Sequence, residues 1–282
     1  MNIHPLLLNA ALLAVFALTS LTAQAAERLL TIGGAVTEIV YALGKGDEII
    51  ANDITSYYPD AANKLPKVGY MRTLSAEGLL SMRPTLIIAD GGAGPRNVLE
   101  QIANAGVRVI QLQEGFTPEQ VATNIRLIGK QLQVANTEII ATQYETSWQA
   151  AQAKVSELRN SPRVLFVLDH TGKNPQAAGD DTAANAVIKL AHADNVMAAQ
   201  FRGYKPLTAE AMVAAAPTVI ITTHEGIEAS GGMEAFLNKP GLRMTPAGKA
   251  KRVISMDSLL LLGFTPRLPN AITELSQAVR QP

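Results

Sequence analysis

"LSAEGLLSMRPTLIIA", residues 74–89, has a near copy later in the chain, "LTAEAMVAAAPTVIIT", residues 207–222. In each copy a Ser or Thr precedes a helical pattern, a proline ends that pattern, and an apolar, β-branched run follows. Ser and Thr favour the N-cap of a helix, and the residue before a proline disfavours helical backbone. Each copy therefore predicts a capped helix that leads into a buried strand.

The similarity continues upstream of both copies, where "GYMRTL" is matched by "GYKPL" with one residue fewer. Gly69-Tyr70 and Gly203-Tyr204 are thus expected in similar loops. One interpretation is that two ordinary α/β units share the same local pattern. The other is a duplicated domain, whose two lobes face each other across a cleft at the carboxyl ends of their strands.

Apolar β-branched runs alternate with longer helical patterns along the whole chain, which is typical of parallel sheets flanked by helices. We predict strands at residues 28–32, 48–53, 85–90 and 107–112 in the first half, and at 163–169, 218–223 and 252–257 in the second. The predicted fold class is α/β, with two similar lobes that each contain a parallel β-sheet flanked by helices.

The stretch from Thr137 to Arg159 contains no Gly or Pro and ends just before Ser161 and Pro162. It predicts one long backbone α-helix of about 35 Å, at 1.5 Å per residue. We therefore expect an N-terminal lobe at residues 27–135, a bridging helix at 136–160 and a C-terminal lobe at 161–282.

The first 26 residues contain no Asp, Glu, Lys or Arg, and they end in an A-x-A pattern at Ala23–Ala25. Their apolar run, from Leu6 to Leu21, is short and interrupted for a membrane-spanning helix. We predict a cleavable signal peptide at residues 1–26 and export to the periplasm, with an uncleaved anchor as the alternative.

Composition excludes several classes of function. The chain has no cysteine, which excludes a lipid-modified cysteine, disulfides, thiolate catalysis and Cys-ligated metals. Its 24 basic and 24 acidic residues give a net charge of zero, which offers no support for nucleic-acid binding.

The sequence has no G-x-S-x-G or H-E-x-x-H motif, and its "GGAGPR" loop lacks the Gly-Lys-Ser/Thr ending of a phosphate-binding loop. We predict a protein that is not an enzyme.

At this point the sequence resembles the periplasmic haem-binding proteins of bacterial haem ABC importers, the HmuT type. They belong to the wider class (class III) of binding proteins in which one backbone helix joins two lobes, together with cobalamin- and siderophore-binding proteins. The resemblance covers the mature chain and rests on "IGGAVTEIVYALG", "VGYMRTLSAEGLLSMRPTLIIA", "AAGDDTAANAVIKLAHADNV" and "KPGLRMTPAGKAKRVISMDSLLLLGFTPRLP".

The resemblance implies a monomeric carrier that binds haem in the periplasm and delivers it to an inner-membrane ABC permease dimer with a cytoplasmic ATPase. An outer-membrane haem receptor is the expected partner upstream. The alternative is a carrier of a siderophore or cobalamin. A carrier of bare metal is disfavoured because the three histidines beyond the leader are isolated from one another.

In similar proteins the tyrosine of the V-G-Y loop is the axial ligand of ferric haem, a role that corresponds to Tyr70 here. Tyrosine is one of the side chains that hold haem iron in proteins. Arg72, two residues further on, is expected either to stabilise the phenolate or to bind a haem propionate. The sequence leaves both roles open, and an ordinary solvated arginine is the plain alternative.

Other candidates for the cleft come from both halves. His170 directly follows the strand at 163–169, so it is a candidate second iron ligand, or else a loop histidine bonded to backbone. His224 has the matching position after the strand at 218–223. Arg96, Tyr204 and Lys205 are candidates for the cleft wall or for binding a propionate, with solvated surface positions as the alternative.

Glu77 and Glu210 stand at matching places in the two copies. We expect each to occupy the capping-box position of its helix, where a glutamate stabilises the helix start without any further function. The resemblance implies a second role, in which the two glutamates contact basic residues of the permease through salt bridges.

Overall fold

The computed structural model describes residues 27–169, 175–206 and 208–281. The predicted signal peptide and His170 lie outside these residues. Within them, no helix has both the length and the apolar character that a membrane crossing requires.

The first lobe contains a four-stranded, all-parallel sheet with the order β2-β1-β3-β4. Its strands coincide with the four that the sequence predicts in this half. They are β1 Leu29–Ile32, β2 Ile49–Asn52, β3 Leu86–Ala89 and β4 Arg108–Gln111. The helices of this lobe are α1 Gly34–Ala42, α2 Asp60–Asn63, α3 Ala76–Ser81, α4 Arg96–Asn104 and α5 Pro118–Gln131, with a short 3-10 turn at Gly46–Glu48.

The second lobe has a mixed sheet with the order β10-β9-β5-β6-β8, and β7 pairs with β5. Its strands are β5 Arg163–Leu168, β6 Gln176–Ala178, β7 Asp194–Asn195, β8 Tyr204–Pro206, β9 Val219–Thr223 and β10 Val253–Met256. The three predicted strands β5, β9 and β10 run parallel, whereas β6 is antiparallel to both β5 and β8. The two-lobe α/β fold is confirmed, and the second sheet differs from the prediction by this antiparallel extension.

The helices of the second lobe cover both faces of its sheet and close the chain. They are α7 Ala183–Leu190, α8 Ala209–Ala215, α9 His224–Ala229, α10 Met233–Leu237, α11 Pro246–Lys249, α12 Ser258–Leu262 and α13 Leu268–Ala278, with a 3-10 turn at Leu242–Met244.

The duplicated stretch folds in the same way in both lobes. Ser75 accepts a hydrogen bond from the Gly78 amide, and Thr208 accepts one from the Ala211 amide, so each caps its helix as predicted. Both helices end in a residue with left-handed backbone, Arg83 (φ 49°) and Ala216 (φ 46°). Each of these residues precedes the proline that leads into a strand, β3 or β9.

The two lobes are joined by α6, Thr137–Ser156, a 20-residue helix of about 30 Å. It ends three residues earlier than Arg159, where the sequence predicts its end. The Asn160 carbonyl and side-chain oxygens accept hydrogen bonds from Arg280, at 2.8 and 3.1 Å. The bridging helix packs against α5 of the first lobe and α13 of the second.

One hydrophobic core runs through both lobes and the bridging helix, including Ile39, Trp148, Phe166 and Leu275. Direct contacts between the lobes add to it. Glu38 of α1, almost fully buried, pairs with Arg267 in a bidentate ion pair whose Nε–Oε2 distance is 2.8 Å. The lobes are therefore joined by packing and by an ion pair as well as by one helix.

Candidate functional site

Tyr57 connects the carboxyl ends of strands in the two lobes, and we call the residues it joins the floor of the predicted cleft. This tyrosine follows β2 in the first lobe, and its hydroxyl lies 3.0 Å from Asp257 Oδ2 and 3.1 Å from Ser258 Oγ in the second. The Leu259 amide donates to it at 2.8 Å. Burial raises the pKa of the Tyr57 phenol, so the group stays neutral and can donate to a carboxylate.

A second carboxylate completes this floor. Glu225, at the first turn after β9, accepts a hydrogen bond from Ser258 Oγ at 2.9 Å through its Oε1 atom. Its other oxygen, Oε2, is buried and has no hydrogen-bond partner among the described residues. The parallel strands thus bring polar side chains together at their carboxyl ends, where open α/β sheets bind ligands.

The loop that carries Tyr70 is held on the first-lobe side of this cleft by its backbone. Gly69, whose φ of 101° strongly favours glycine, accepts a hydrogen bond from the Ile54 amide at 2.9 Å. The carbonyl of Met71 accepts one from the Gly94 amide at 2.8 Å, which ties the loop to the segment after β3. Tyr70 itself is 40% exposed, and its hydroxyl bonds to none of the described residues.

Arg72 lies two residues further on, against the glycine loop that follows β3. Its Nη1 is 3.5 Å from the Gly92 carbonyl oxygen. A Cβ added at Gly92 would lie 3.2 Å from both terminal guanidinium nitrogens and 3.3 Å from Glu114 Oε1. The "GGAGPR" loop, which lacks the ending of a phosphate-binding loop, therefore contacts the Arg72 guanidinium through Gly92.

Asp90 lies beneath Arg72, at the end of β3, where its Oδ1 accepts a hydrogen bond from the Gly92 amide at 2.8 Å. Burial raises the pKa of the Asp90 carboxyl, and the nearby Glu114 and Asp53 add to this. The Gly92 amide and the charge of Arg72 act in the opposite direction. Arg72 thus has the carboxylates of Asp90 and Glu114 close to it.

Tyr204 is the second-lobe counterpart of Tyr70, and its surroundings differ. Its ring lies edge-on to Phe166, with the ring centroids 6.5 Å apart. Burial raises the pKa of the Tyr204 phenol. Hydrogen bonds with the Ala184 backbone and the Thr182 hydroxyl lower it, as does the charge of Arg72, but burial has the larger effect. The guanidinium of Arg72 therefore acts across the cleft on the other lobe, although the Tyr204 oxygen is already engaged.

The remaining cleft candidates lie in different places. Lys205 is exposed, and its Nζ lies 5.6 Å from the centre of the Phe201 ring. Arg96 is exposed at the start of α4, forms an ion pair with Glu100 at 2.9 Å, and lines a groove of about 610 Å³ between α4 and β4. His224 is exposed at the first residue of α9, beside the floor residue Glu225. His170 is outside the described residues.

Glu77 and Glu210 are both exposed in the first turn of their helices, α3 and α8. The expected capping box is wrong, because each glutamate is the second residue after its cap. The third residue, Gly78 or Ala211, donates its amide to the cap. The Glu210 amide and the Thr208 hydroxyl lower the pKa of the Glu210 carboxyl, which keeps it charged.

Sequence reasoning missed Tyr57, Asp90, Glu114, Glu225 and Asp257. Asp90 and Asp257 end two of the predicted strands, "TLIIAD" and "RVISMD", and an acidic residue at a strand end is a signal that could have found them. The pairing of Tyr57 with Asp257 spans 200 positions, and no local pattern indicates it.

Comparisons with known proteins identify the family to which the chain belongs. A family model described as "Periplasmic binding protein" matches residues 30–260. Among solved structures, the chain is similar to "Periplasmic heme-binding protein BhuT in complex with two hemes", with 45% identity, a TM-score of 0.85, and 90% of this chain and 97% of that chain covered. It is also similar to the periplasmic haem-binding protein RhuT from Roseiflexus sp. RS-1 in apo form, with 37% identity, a TM-score of 0.87 and coverages of 90% and 98%.

A more distant relative carries a different name. The "Vitamin B12-binding protein" of Yersinia pseudotuberculosis serotype O:1b (strain IP 31758) is 26% identical over 216 residues, which is 76% of each chain. The family and these neighbours are binding proteins and not enzymes. The predicted resemblance is confirmed, and the chain belongs to the periplasmic binding protein family.

Proposed function

We propose that this protein binds ferric haem in the periplasm and delivers it to an ABC transporter in the inner membrane. The observation that carries the proposal is the exposed Tyr70, whose hydroxyl bonds to none of the described residues, with Arg72 on the same loop. A tyrosine oxygen is a suitable ligand for Fe(III), and a guanidinium can bind a haem propionate.

The other parts of a haem site follow from the charges on the two cleft walls. Arg72 is the first candidate for a propionate, because a guanidinium can bind a carboxylate through two hydrogen bonds. Lys205 is a second candidate on the opposite lobe. Tyr204 contributes apolar ring surface, while its oxygen stays bonded within the lobe. His170 remains the proposed second iron ligand, and Arg96 a propionate contact at the rim.

Delivery rests on the pair of exposed glutamates and on the family. We propose that Glu77 and Glu210 contact basic residues on the two halves of a permease dimer, whose ATPase drives uptake. The chain would act as a monomer after removal of its signal peptide, downstream of an outer-membrane haem receptor. The 45% identity to a solved haem-binding protein supports haem as the cargo.

A hemin titration followed by absorbance tests this proposal. The wild-type protein is expected to bind hemin with the charge-transfer band of a tyrosinate bound to ferric iron. Tyr70→Phe keeps the ring and removes only the ligand atom, so it is the matched variant. An unchanged spectrum in that variant, or no binding by the wild type, would contradict the proposal.

Cobalamin is the second candidate, because a relative that covers 76% of the chain is named for vitamin B12. In that case the exposed Tyr70 ring would stack on the corrin or hydrogen bond to it, instead of binding a metal. Competition decides between the two cargoes. If cyanocobalamin displaces hemin at similar concentrations, or binds while hemin does not, the haem assignment is wrong.

A further inference from the structure

The two copies of the duplicated helix also expose an aliphatic side chain at the same place. Leu80 in α3 is 38% exposed, and Val213 in α8 is 36% exposed. Each lies three residues after the glutamate of its helix. A single exposed leucine or valine is ordinary on a protein surface. Because both lobes expose an aliphatic side chain at equivalent positions, we look for one function that would explain both.

The packing of both helices fixes which face is exposed. Leu79 is fully buried, and Met212 at the matching position is 5% exposed, so each helix is held in the same rotation about its axis. Residues three apart in a helix lie on one face, which places Leu80 beside Glu77 and Val213 beside Glu210. Each lobe therefore presents a carboxylate with an apolar side chain one turn further along.

The two patches lie at the same end of the molecule. Helix α3 precedes β3 and α8 precedes β9, so the helix starts lie near the carboxyl ends of the strands. In the first lobe this is visible directly, since the Leu74 amide donates to the carbonyl of Gly94, after β3, at 3.0 Å. In the second lobe, β8 runs parallel to β5 through two antiparallel pairings and ends just before α8.

The contacts between the lobes oppose a change in the separation of the two patches. The shared core, the Glu38–Arg267 ion pair and the Tyr57 hydrogen bonds all oppose rotation of one lobe against the other. A constant spacing suits a partner that offers two equivalent sites. A partner with a single site would give no reason for the duplicated surface.

We propose that Glu77 with Leu80, and Glu210 with Val213, are two docking points for the permease dimer, each made of a charged contact and an apolar anchor. This inference rests on the proposed function and adds the apolar half of the contact. The partner is a twofold-symmetric membrane protein that carries, on each subunit, a basic side chain beside an apolar depression. Charges at the edge of such a contact mainly raise the rate of association, whereas a buried apolar anchor slows dissociation.

Site-directed cross-linking tests the surface directly, because the chain has no cysteine of its own. Leu80→Cys and Val213→Cys, each labelled with a photoactivated maleimide, are expected to cross-link to the same transmembrane permease in haem-importing cells. Ile139→Cys on the bridging helix is the matched control, since Ile139 is 61% exposed and lies outside both patches. Equal cross-linking from all three positions, or cross-linking from only one lobe, would overturn the proposal.

A functional variant separates docking from cargo binding. Leu80→Ser with Val213→Ser is expected to leave the hemin titration unchanged and to lower haem-dependent growth by about tenfold, because docking is weakened while cargo binding is kept. Unimpaired growth in the double variant would refute the apolar anchors. Binding of the wild type to protein-free lipid vesicles, lost in the double variant, would show that the patches contact the membrane and not the permease.

The same measurements separate this inference from the proposed function. If the wild type fails to bind hemin, the proposed cargo is wrong, whereas paired cross-links to one permease would still support the docking points. If hemin binds and the cross-links are absent, the cargo is right and the docking surface is wrong.

Discussion

The two Gly-Tyr loops begin from the same sequence pattern and end in different environments. Both glycines have positive φ, 101° at Gly69 and 76° at Gly203, so both tyrosines start from a similar turn. Tyr70 is then 40% exposed, and its hydroxyl bonds to none of the described residues, whereas Tyr204 lies in strand β8, against Phe166, with its oxygen bonded to the start of α7.

The difference follows from the antiparallel extension of the second sheet. Strand β8 pairs with β6, and this pairing places Tyr204 opposite Ala178 and beside the lobe core. The first lobe has no strand at the corresponding place within residues 27–135, so Tyr70 stays in a loop. A duplicated tyrosine can thus serve packing in one lobe and ligand binding in the other.

The largest expected effect comes from removing the free phenol. Tyr70→Ala should weaken hemin binding by at least 100-fold, about 2.7 kcal/mol, and should abolish the tyrosinate-to-iron charge-transfer band. The measurement is a hemin titration followed by absorbance, with His170→Ala as the comparison that should lose much less. If Tyr204→Phe removes the band while Tyr70→Ala keeps it, the roles of the two loops are reversed.

Next in size is the effect of the cation beside each tyrosine. Arg72→Ala should weaken hemin binding by about tenfold, or 1.4 kcal/mol, because it removes the guanidinium on the Tyr70 loop that is the first candidate for a propionate. Lys205→Ala is the matched variant in the other lobe, and we expect a smaller loss. Hemin dimethyl ester shows which role Arg72 has. If the arginine binds a propionate, the wild type and Arg72→Ala should bind the ester equally well.

The Tyr204 hydroxyl should matter for folding more than for haem. Tyr204→Phe removes its hydrogen bonds while keeping the ring on Phe166, which should lower the free energy of unfolding by about 1 kcal/mol. Urea denaturation measures this change, and the iron spectrum should stay the same. Tyr70→Phe should leave the unfolding free energy unchanged, since its hydroxyl bonds to none of the described residues. Equal losses of stability in both variants would contradict the contrast.

The two lobes should also differ in how their stability depends on pH. Asp90 can ionise, whereas its counterpart in the duplicated stretch is the neutral Thr223. Burial raises the pKa of Asp90 above its usual value of 3.8, so the folded state holds this proton more tightly than the unfolded state. The folded state therefore gains stability as pH falls through the raised pKa and loses it as pH rises. Asp90→Asn should remove that contribution.

Urea denaturation between pH 4 and pH 7 tests whether the Asp90 contribution to stability falls as pH rises. The stability of Asp90→Asn relative to the wild type should increase with pH across the window. Thr223→Val in the other lobe is the control, and its difference from the wild type should be constant with pH. A difference that shrinks as pH rises would mean that Arg72 outweighs burial at Asp90.

Local sequence patterns predicted the lobes, seven of the strands and the caps at Ser75 and Thr208. They missed β6, β7 and β8, which have two or three residues each, too few for an alternating pattern to appear. They also missed the floor of the cleft, since Tyr57 and Glu225 belong to different lobes and meet only after folding. The resemblance indicated Tyr70 as the iron ligand. The exposure of its phenol depends on tertiary structure, because within residues 27–135 no strand forms at the place that β8 occupies in the second lobe.

The smallest expected effect is a change of shape on loading, and it extends the comparison from the two loops to the two lobes. One bridging helix alone would permit bending, but Phe116 also packs on Phe264, with ring centroids 5.6 Å apart, and Glu38 pairs with Arg267 across the interface. Rotation would break that buried ion pair, and leaving a buried charge unpaired costs several kcal/mol. Solution scattering should therefore give the same radius of gyration with and without hemin. Glu38→Gln should loosen the interface and permit a measurable compaction on loading, whereas the same compaction in the wild type would show that the interface opens in normal function.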